Sequence, residues 1–261
     1  MDLDLSGKHA LVCGGSHGIG KAAAIELAAL GANVTLLSRT EASLKKALSE
    51  LTSTGGQKHD FIAVDMNDHA ALAEKVSTAS KGDPILIVVN NTGGPPGGQA
   101  DAAKVDEFTI AFAQHLLANH TILQAVLPGM KAAKYGRIIN VISTSVKEPI
   151  KNLGVSNTIR AAVASWSKTL AGELGGFGIT VNNVLPGYTK TARLEQILGD
   201  RAKATQQDEA AIEKSMLATV PAGRFADAHE IGNVIAFLAT PAAGYINGIN
   251  VPVDGGRTQS L

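Results

Sequence analysis

Seven short apolar runs lie near residues 9–13, 33–37, 60–64, 85–89, 137–142, 179–184 and 249–253. They alternate with helix-like stretches near 18–30, 40–53, 67–80, 103–127, 155–175 and 227–239. This alternation constrains the fold more than any other feature. Runs that are apolar at nearly every position suit parallel strands covered on both faces. Parallel strands need crossover connections, and right-handed crossovers put the helices on both sides of one sheet. The pattern predicts an α/β fold: a single domain over 1–261 with a doubly wound, seven-stranded parallel sheet. Residues 190–218 break the rhythm, being polar, charged and helix-prone. An insertion after the sixth strand sits at the carboxyl edge of the sheet, where ligands bind in such folds. It is expected to be a substrate lid, or else an ordinary surface helix pair.

Bulk properties narrow the partners. Hydrophobic residues make up 45% of 261 residues, enough for a large core. Lys+Arg 23 balances Asp+Glu 23, which argues against nucleic acid as a partner. The lone Cys13 forbids an intramolecular disulfide and suits the reducing cytoplasm. The opening MDLDLSGKHA lacks the apolar run of a signal peptide, and no apolar stretch approaches a membrane span. The histidines are scattered; His115 and His120 fall on different helix faces, so no metal cluster is expected.

The first apolar run, Ala10–Cys13, feeds directly into Gly14-x-x-x-Gly18-x-Gly20, and a helical pattern follows from Lys21 to Leu30. A strand that ends in glycines and opens a helix makes a phosphate cradle, with backbone N–H groups and the helix dipole facing the anion. The context points to a dinucleotide, contacted by Gly14, Ser16, His17, Gly18, Ile19 and Gly20. His17 adds a donor or stands by. After the second run, Leu36-Leu37-Ser38-Arg39-Thr40 offers no acid for a ribose 2′-hydroxyl. Arg39 there suits a 2′-phosphate, favouring NADP(H) over NAD(H), unless it is simply a solvated residue at a helix start. Asp65, with Met66 beside it, meets the adenine amino group or caps the helix at 67–80. Asn90-Asn91-Thr92-Gly93 closes the fourth strand; its amides can tie strands together, and Gly93 leaves room for ribose. The segment Gly94-Pro95-Pro96-Gly97-Gly98 should form a stiff wall beside the nicotinamide.

Together these residues resemble the short-chain dehydrogenase/reductase family, in its 3-oxoacyl-carrier-protein reductase-like group. The likeness runs through CGGSHGIG, Asn90–Gly93, Gly136–Ser143, Val181–Gly187, Tyr245–Gly248 and Val253–Gly256, and so covers essentially the whole chain. It implies a Rossmann fold and a homotetramer or homodimer joined through the helices at 103–127 and 155–175. It also implies cofactor contacts from Asn91, Pro186, Gly187, Thr189 and Thr191. The family uses a Ser, a Tyr, a Lys four residues beyond the Tyr, and an Asn on the preceding helix. Ser143 matches the Ser. The alignment puts Ser156 at the Tyr position, Arg160 at the Lys position and His115 at the Asn position, while Asn119 does not align. Cys13 stands where Thr is usual. The chain thus resembles a divergent subgroup with Ser-x-x-x-Arg in place of Tyr-x-x-x-Lys.

These replacements alter the chemistry. A serine hydroxyl is a poor proton donor near neutral pH, and arginine cannot titrate there. Arg160 can still grip ribose hydroxyls or stabilise charge developing on a substrate oxygen. Ser156 and Arg160 share a helix face, although Ser156 would also serve as a helix cap. Ser143 binds a carbonyl, or merely shapes a turn. Tyr188 is a candidate proton donor, or a loop aromatic that packs the lid; His115, whose side chain titrates near neutrality, is a second candidate, or packs its helix. The first expectation is an NADP(H)-dependent oxidoreductase acting on a small carbonyl or alcohol. The rivals are a dinucleotide-binding sensor or scaffold without turnover, and a lyase or isomerase.

Overall fold

The computed structural model describes residues 1–260. Seven strands form one parallel sheet: β1 (His9–Cys13), β2 (Asn33–Ser38), β3 (Asp60–Ala63), β4 (Ile85–Asn90), β5 (Gly136–Val141), β6 (Ile179–Pro186) and β7 (Asn250–Val253). Their spatial order is β3-β2-β1-β4-β5-β6-β7, all neighbours parallel. The order reverses at β1/β4, and this switch point opens a crevice beyond the strand ends. The central strands β1 and β5 are buried at every position, which explains why their sequences do not alternate.

Three helices, α1 (Gly18–Ala29), α2 (Glu41–Leu48) and α9 (Ala228–Ala239), cover one face. Gly232 brings α9 onto α1 so closely that a β-carbon on it would lie 2.9 Å from the Ala22 backbone. The other face carries α3 (His69–Ala79), α5 (Ala118–Ala133) and α6 (Gly154–Leu174), with α4 (Val105–Phe112) leading into α5. After β6 come α7 (Ala192–Thr205) and α8 (Glu209–Leu217). These two bury a small apolar core of their own around Leu194, Ile212, Met216 and Phe225.

Three local differences from the sequence expectation have physical causes. The helix expected at 103–127 runs on through Pro128 to Ala133, where Lys134 turns left-handed at φ 51°. Pro128 forfeits one backbone bond, but the fully buried Val126 and Met130 hold the segment helical. That same helix contains a π-turn at Ala113–Leu117, which the apolar periodicity did not signal. The helix expected at 40–53 stops at Leu48, where the Ser49 hydroxyl donates back to the Lys46 carbonyl at 2.8 Å.

Four asparagines then fix the carboxyl end of the sheet. Asn90, Asn140, Asn183 and Asn250 are register partners on β4, β5, β6 and β7. The Asn90 amide donates to Asn140 Oδ1 at 2.8 Å, Asn140 to Asn183 Oδ1 at 3.1 Å, and Asn183 to Asn250 Oδ1 at 2.8 Å. Ser167 of α6 joins this chain, accepting from Asn140 at 2.9 Å. Buried amides that satisfy one another in series hold the strands in a single register.

Candidate active site

A cleft of about 900 Å³, its mouth included, opens at the switch point. Gly14, Ser16 and His17 form one wall, Arg39, Asp65 and Met66 another, and Asn91 and Gly93 the floor. Here the glycines are required. Gly14 and Gly18 have positive φ (59° and 53°). A β-carbon on Gly20 would lie 2.3 Å from the Gly14 carbonyl oxygen and 2.8 Å from Asn91 Nδ2. The loop therefore closes backbone to backbone around Asn91, and a side chain at Gly20 would fill the cradle. Ile19 lies in the first turn of α1 and packs toward the core. His17 occupies the cap position of α1, with Nδ1 3.0 Å from the Ser16 hydroxyl.

Arg39 is exposed and takes part in no ion pair among the described residues. Ser38, Thr40 and Ser43 line the cleft around it, and the Ser38 hydroxyl is buried without a partner. Asp65 does not cap α3, as one expectation had it; Asp68 does, accepting from Ala71 N at 3.0 Å. Asp65 instead accepts from the backbone and side chain of Asn67 at 2.9 and 3.0 Å.

The far wall comes from the segment after β6. Gly187 N donates to Val253 O at 2.9 Å, and a β-carbon on Gly187 would sit 2.6 Å from Asp254 Cα, so Pro186-Gly187 is pinned to the end of β7. The buried Thr189 donates its hydroxyl proton to the Gly187 carbonyl at 3.1 Å. Thr191 precedes α7, and its methyl carbon lies 3.1 Å from where a β-carbon on Gly18 would be. The start of α7 thus packs on the glycine turn that opens α1.

Beside the cleft, at the ends of β4 and β5, lie the chemistry-bearing residues. Ser143 heads a short turn, and its oxygen accepts from Ser145 N at 3.0 Å. That bond gives Ser143 a turn role and leaves its hydroxyl proton free to donate. Ser156 is buried inside the first turn of α6 and does not cap it; Leu153 holds that position. One turn on, the buried Arg160 donates from Nη1 to the Val141 carbonyl at 3.1 Å. Burial, and then the charge of Arg193, push its guanidinium down to about 10.

His115 carries two expectations, proton donor or helix packing. Its place is the π-turn, with Nδ1 2.6 Å from the Thr92 hydroxyl and Nε2 buried without a partner. Burial and the nearby Arg160 charge lower its pKa to about 3, so it is neutral at physiological pH and cannot be the acid. The Tyr188 ring is packed: it meets Phe225 edge-on at 5.9 Å and lies under the Arg257 guanidinium at 4.7 Å. These contacts place the ring against the small core of α7 and α8. Arg193, one of many charges in the 190–218 segment and not singled out in the sequence, reaches back to the Pro95 carbonyl at 3.1 Å.

Comparison with known proteins decides the family. Residues 14–258 match the family model described as Enoyl-(Acyl carrier protein) reductase. A 3-oxoacyl-[acyl-carrier-protein] reductase of Pseudomonas aeruginosa is 34% identical over 99% of this chain and 100% of its own. The chain is a short-chain dehydrogenase/reductase. Among solved structures, L-sorbose reductase from Gluconobacter frateurii, complexed with NADPH and L-sorbose, superposes with a TM-score of 0.93 at 29% identity, covering both chains fully (100% each). An NADPH-dependent reductase of Bacillus subtilis is 28% identical over 98% of this chain and 100% of its own. This short-chain dehydrogenase/reductase shares the seven-stranded Rossmann sheet of such structures. Among the described residues no helix is long and apolar enough to cross a membrane, and no cluster of three or more His, Cys, Asp or Glu could hold a metal.

Proposed function

We propose that this chain is an NADP(H)-dependent oxidoreductase that moves a hydride between nicotinamide and a carbonyl or hydroxyl carbon. One observation carries the proposal. The glycine cleft and the Ser143/Arg160 corner open at the same edge of the sheet, with Arg160 held against the carbonyl of Val141, two residues before Ser143. A bound nicotinamide would supply or accept the hydride. The chain's own residues would do the rest. Gly14, Gly18 and Gly20 with Thr191 would hold the diphosphate, and Asn91, Gly93, Pro186, Gly187 and Thr189 would border the nicotinamide half. Arg39, with the unpartnered Ser38 hydroxyl beside it, supports a 2′-phosphate and hence NADP(H) over NAD(H). Its exposure without a carboxylate partner is what a phosphate-binding arginine needs.

Ser156 and Arg160 stand where the family's Tyr and Lys stand, so the oxygen of the substrate would be met by Ser143 and by a fixed charge. Arg160 would stabilise negative charge on that oxygen, as an oxyanion donor does. The Tyr188 ring packs on Phe225 and His115 is neutral, so the proton would come from the Tyr188 hydroxyl or from water. The same two facts favour a second reading: a dinucleotide-binding sensor or scaffold without turnover. The helices α7 and α8, carrying their own small core, support a substrate lid at 190–218. Exposed apolar side chains at Ile110 and Leu117 support a homodimer or homotetramer through the helices at 103–127 and 155–175. A cytoplasmic location accords with the single buried thiol of Cys13.

Nicotinamide absorbance, followed across a panel of carbonyls and alcohols, separates the two readings. Turnover on any of them supports the enzyme; tight NADPH binding with no turnover supports the sensor. The double variant Ser156→Tyr, Arg160→Lys should raise ketoreductase activity if the usual geometry persists.

A further inference from the structure

Resting on the oxidoreductase reading, we infer that the substrate carries a carboxylate, held between Arg160 and Arg193. The two guanidiniums come from different parts of the fold, Arg160 from the start of α6 and Arg193 from the first turn of the lid helix α7. Both converge on one point. The position of a β-carbon on Gly94 would be 3.3 Å from Arg160 Nη2 and 3.9 Å from Arg193 Nη2. Gly94 follows directly on the Asn91–Gly93 segment that floors the cofactor cleft.

No acid accompanies them. Among the described residues neither arginine forms a salt bridge. Arg160 is buried, and its one protein acceptor is the Val141 carbonyl, reached through Nη1, so Nη2 is left for something else. Arg193 spends its contacts on the Pro95 carbonyl and, through Nη1, on Gln196 Oε1 at 2.9 Å. Those bonds orient its fork without neutralising it. Two like charges facing one gap repel, and burial sharpens the repulsion, so the arrangement is held against a cost that an anion would remove. His115, the other basic group near Arg160, stays neutral and does not compete. Planar guanidinium forks match a planar carboxylate by paired N–H···O bonds, which favours a carboxylate over a compact point charge. Because Arg193 rides on the lid, carboxylate binding would also draw α7 toward the Pro95 loop. Arg193 is thereby assigned as a specificity residue.

The test uses the full-length protein saturated with NADP⁺. A series of 2-, 3- and 4-oxo acids and their methyl esters is titrated in, and binding is read by calorimetry alongside reduction rates with NADPH. At least one acid should bind about tenfold or more tightly than its ester. Arg193→Gln should abolish that preference; Arg193→Lys, which keeps the charge and loses the fork, should retain part of it. Equal binding of every acid and its ester overturns the assignment, as does a preference that survives in Arg193→Gln or a response to inorganic phosphate in place of the acids. Failure of NADP⁺ itself to bind would instead strike the cofactor reading beneath it.

Discussion

The neutral His115 in the π-turn predicts a specific acid sensitivity. Burial first, and the Arg160 charge second, lower its pKa from 6.5 to about 3. The unfolded chain takes up this proton near pH 6.5, and the folded chain only near pH 3. Between those values the unfolded state binds more protons, so stability rises with pH and is lost as pH falls through the window. At about pH 5 the unfolded imidazole is almost fully protonated and the folded one is not. The difference, about 1.5 pH units at 1.36 kcal/mol each, costs the fold about 2 kcal/mol relative to about pH 7.5. This figure is insensitive to the folded value so long as that lies well below 5. Urea unfolding of the wild type and of His115→Gln, at both pH values and one protein concentration, measures it. Other groups titrate alike in both proteins, and the pH-independent cost of losing the Thr92 bond cancels in the subtraction. The variant should lose about 2 kcal/mol less than the wild type on acidification. An identical pH dependence in the two proteins would refute the claim that a buried, neutral imidazole faces Arg160.

Two further substitutions probe the cofactor cleft. Arg39→Asp should weaken NADPH binding about 10- to 100-fold, the worth of a charge-assisted pair, while leaving NADH binding equal or better; an unchanged ratio in a nucleotide titration contradicts the 2′-phosphate assignment. Gly20→Ala places a β-carbon 2.3 Å from the Gly14 carbonyl, so the turn must open. Cofactor affinity should fall at least about tenfold and stability by about 1–3 kcal/mol, checked by titration and urea melts; affinity within about twofold of wild type would show that the cradle tolerates a side chain.

What the sequence made legible follows from the range of the forces involved. Continuous apolar runs announce buried parallel strands because burial on both faces is a local demand on each residue. All seven strands duly fall near the expected segments. The glycine turn is equally local, since Gly14, Gly18 and Gly20 sit where backbone and helix start must come together. The helix runs past 127 through Pro128 because the burial of Val126 and Met130, a tertiary contribution, outweighs the lost backbone bond. The asparagine ladder was half visible. Asn90 closes a strand in the sequence, but its pairing with Asn140, and onward with Asn183 and Asn250, depends on strand register. His115 and Arg193 were the hardest to place. A π-turn has no periodicity signature of its own, and nothing in the charged segment at 190–218 says which arginine turns back to the Pro95 carbonyl.

The most direct test of the central claim is a calorimetric titration of the purified protein with NADPH and with NADH at one salt concentration. The account predicts saturable binding of NADPH, tighter than that of NADH. No heat of binding with either nucleotide would contradict it.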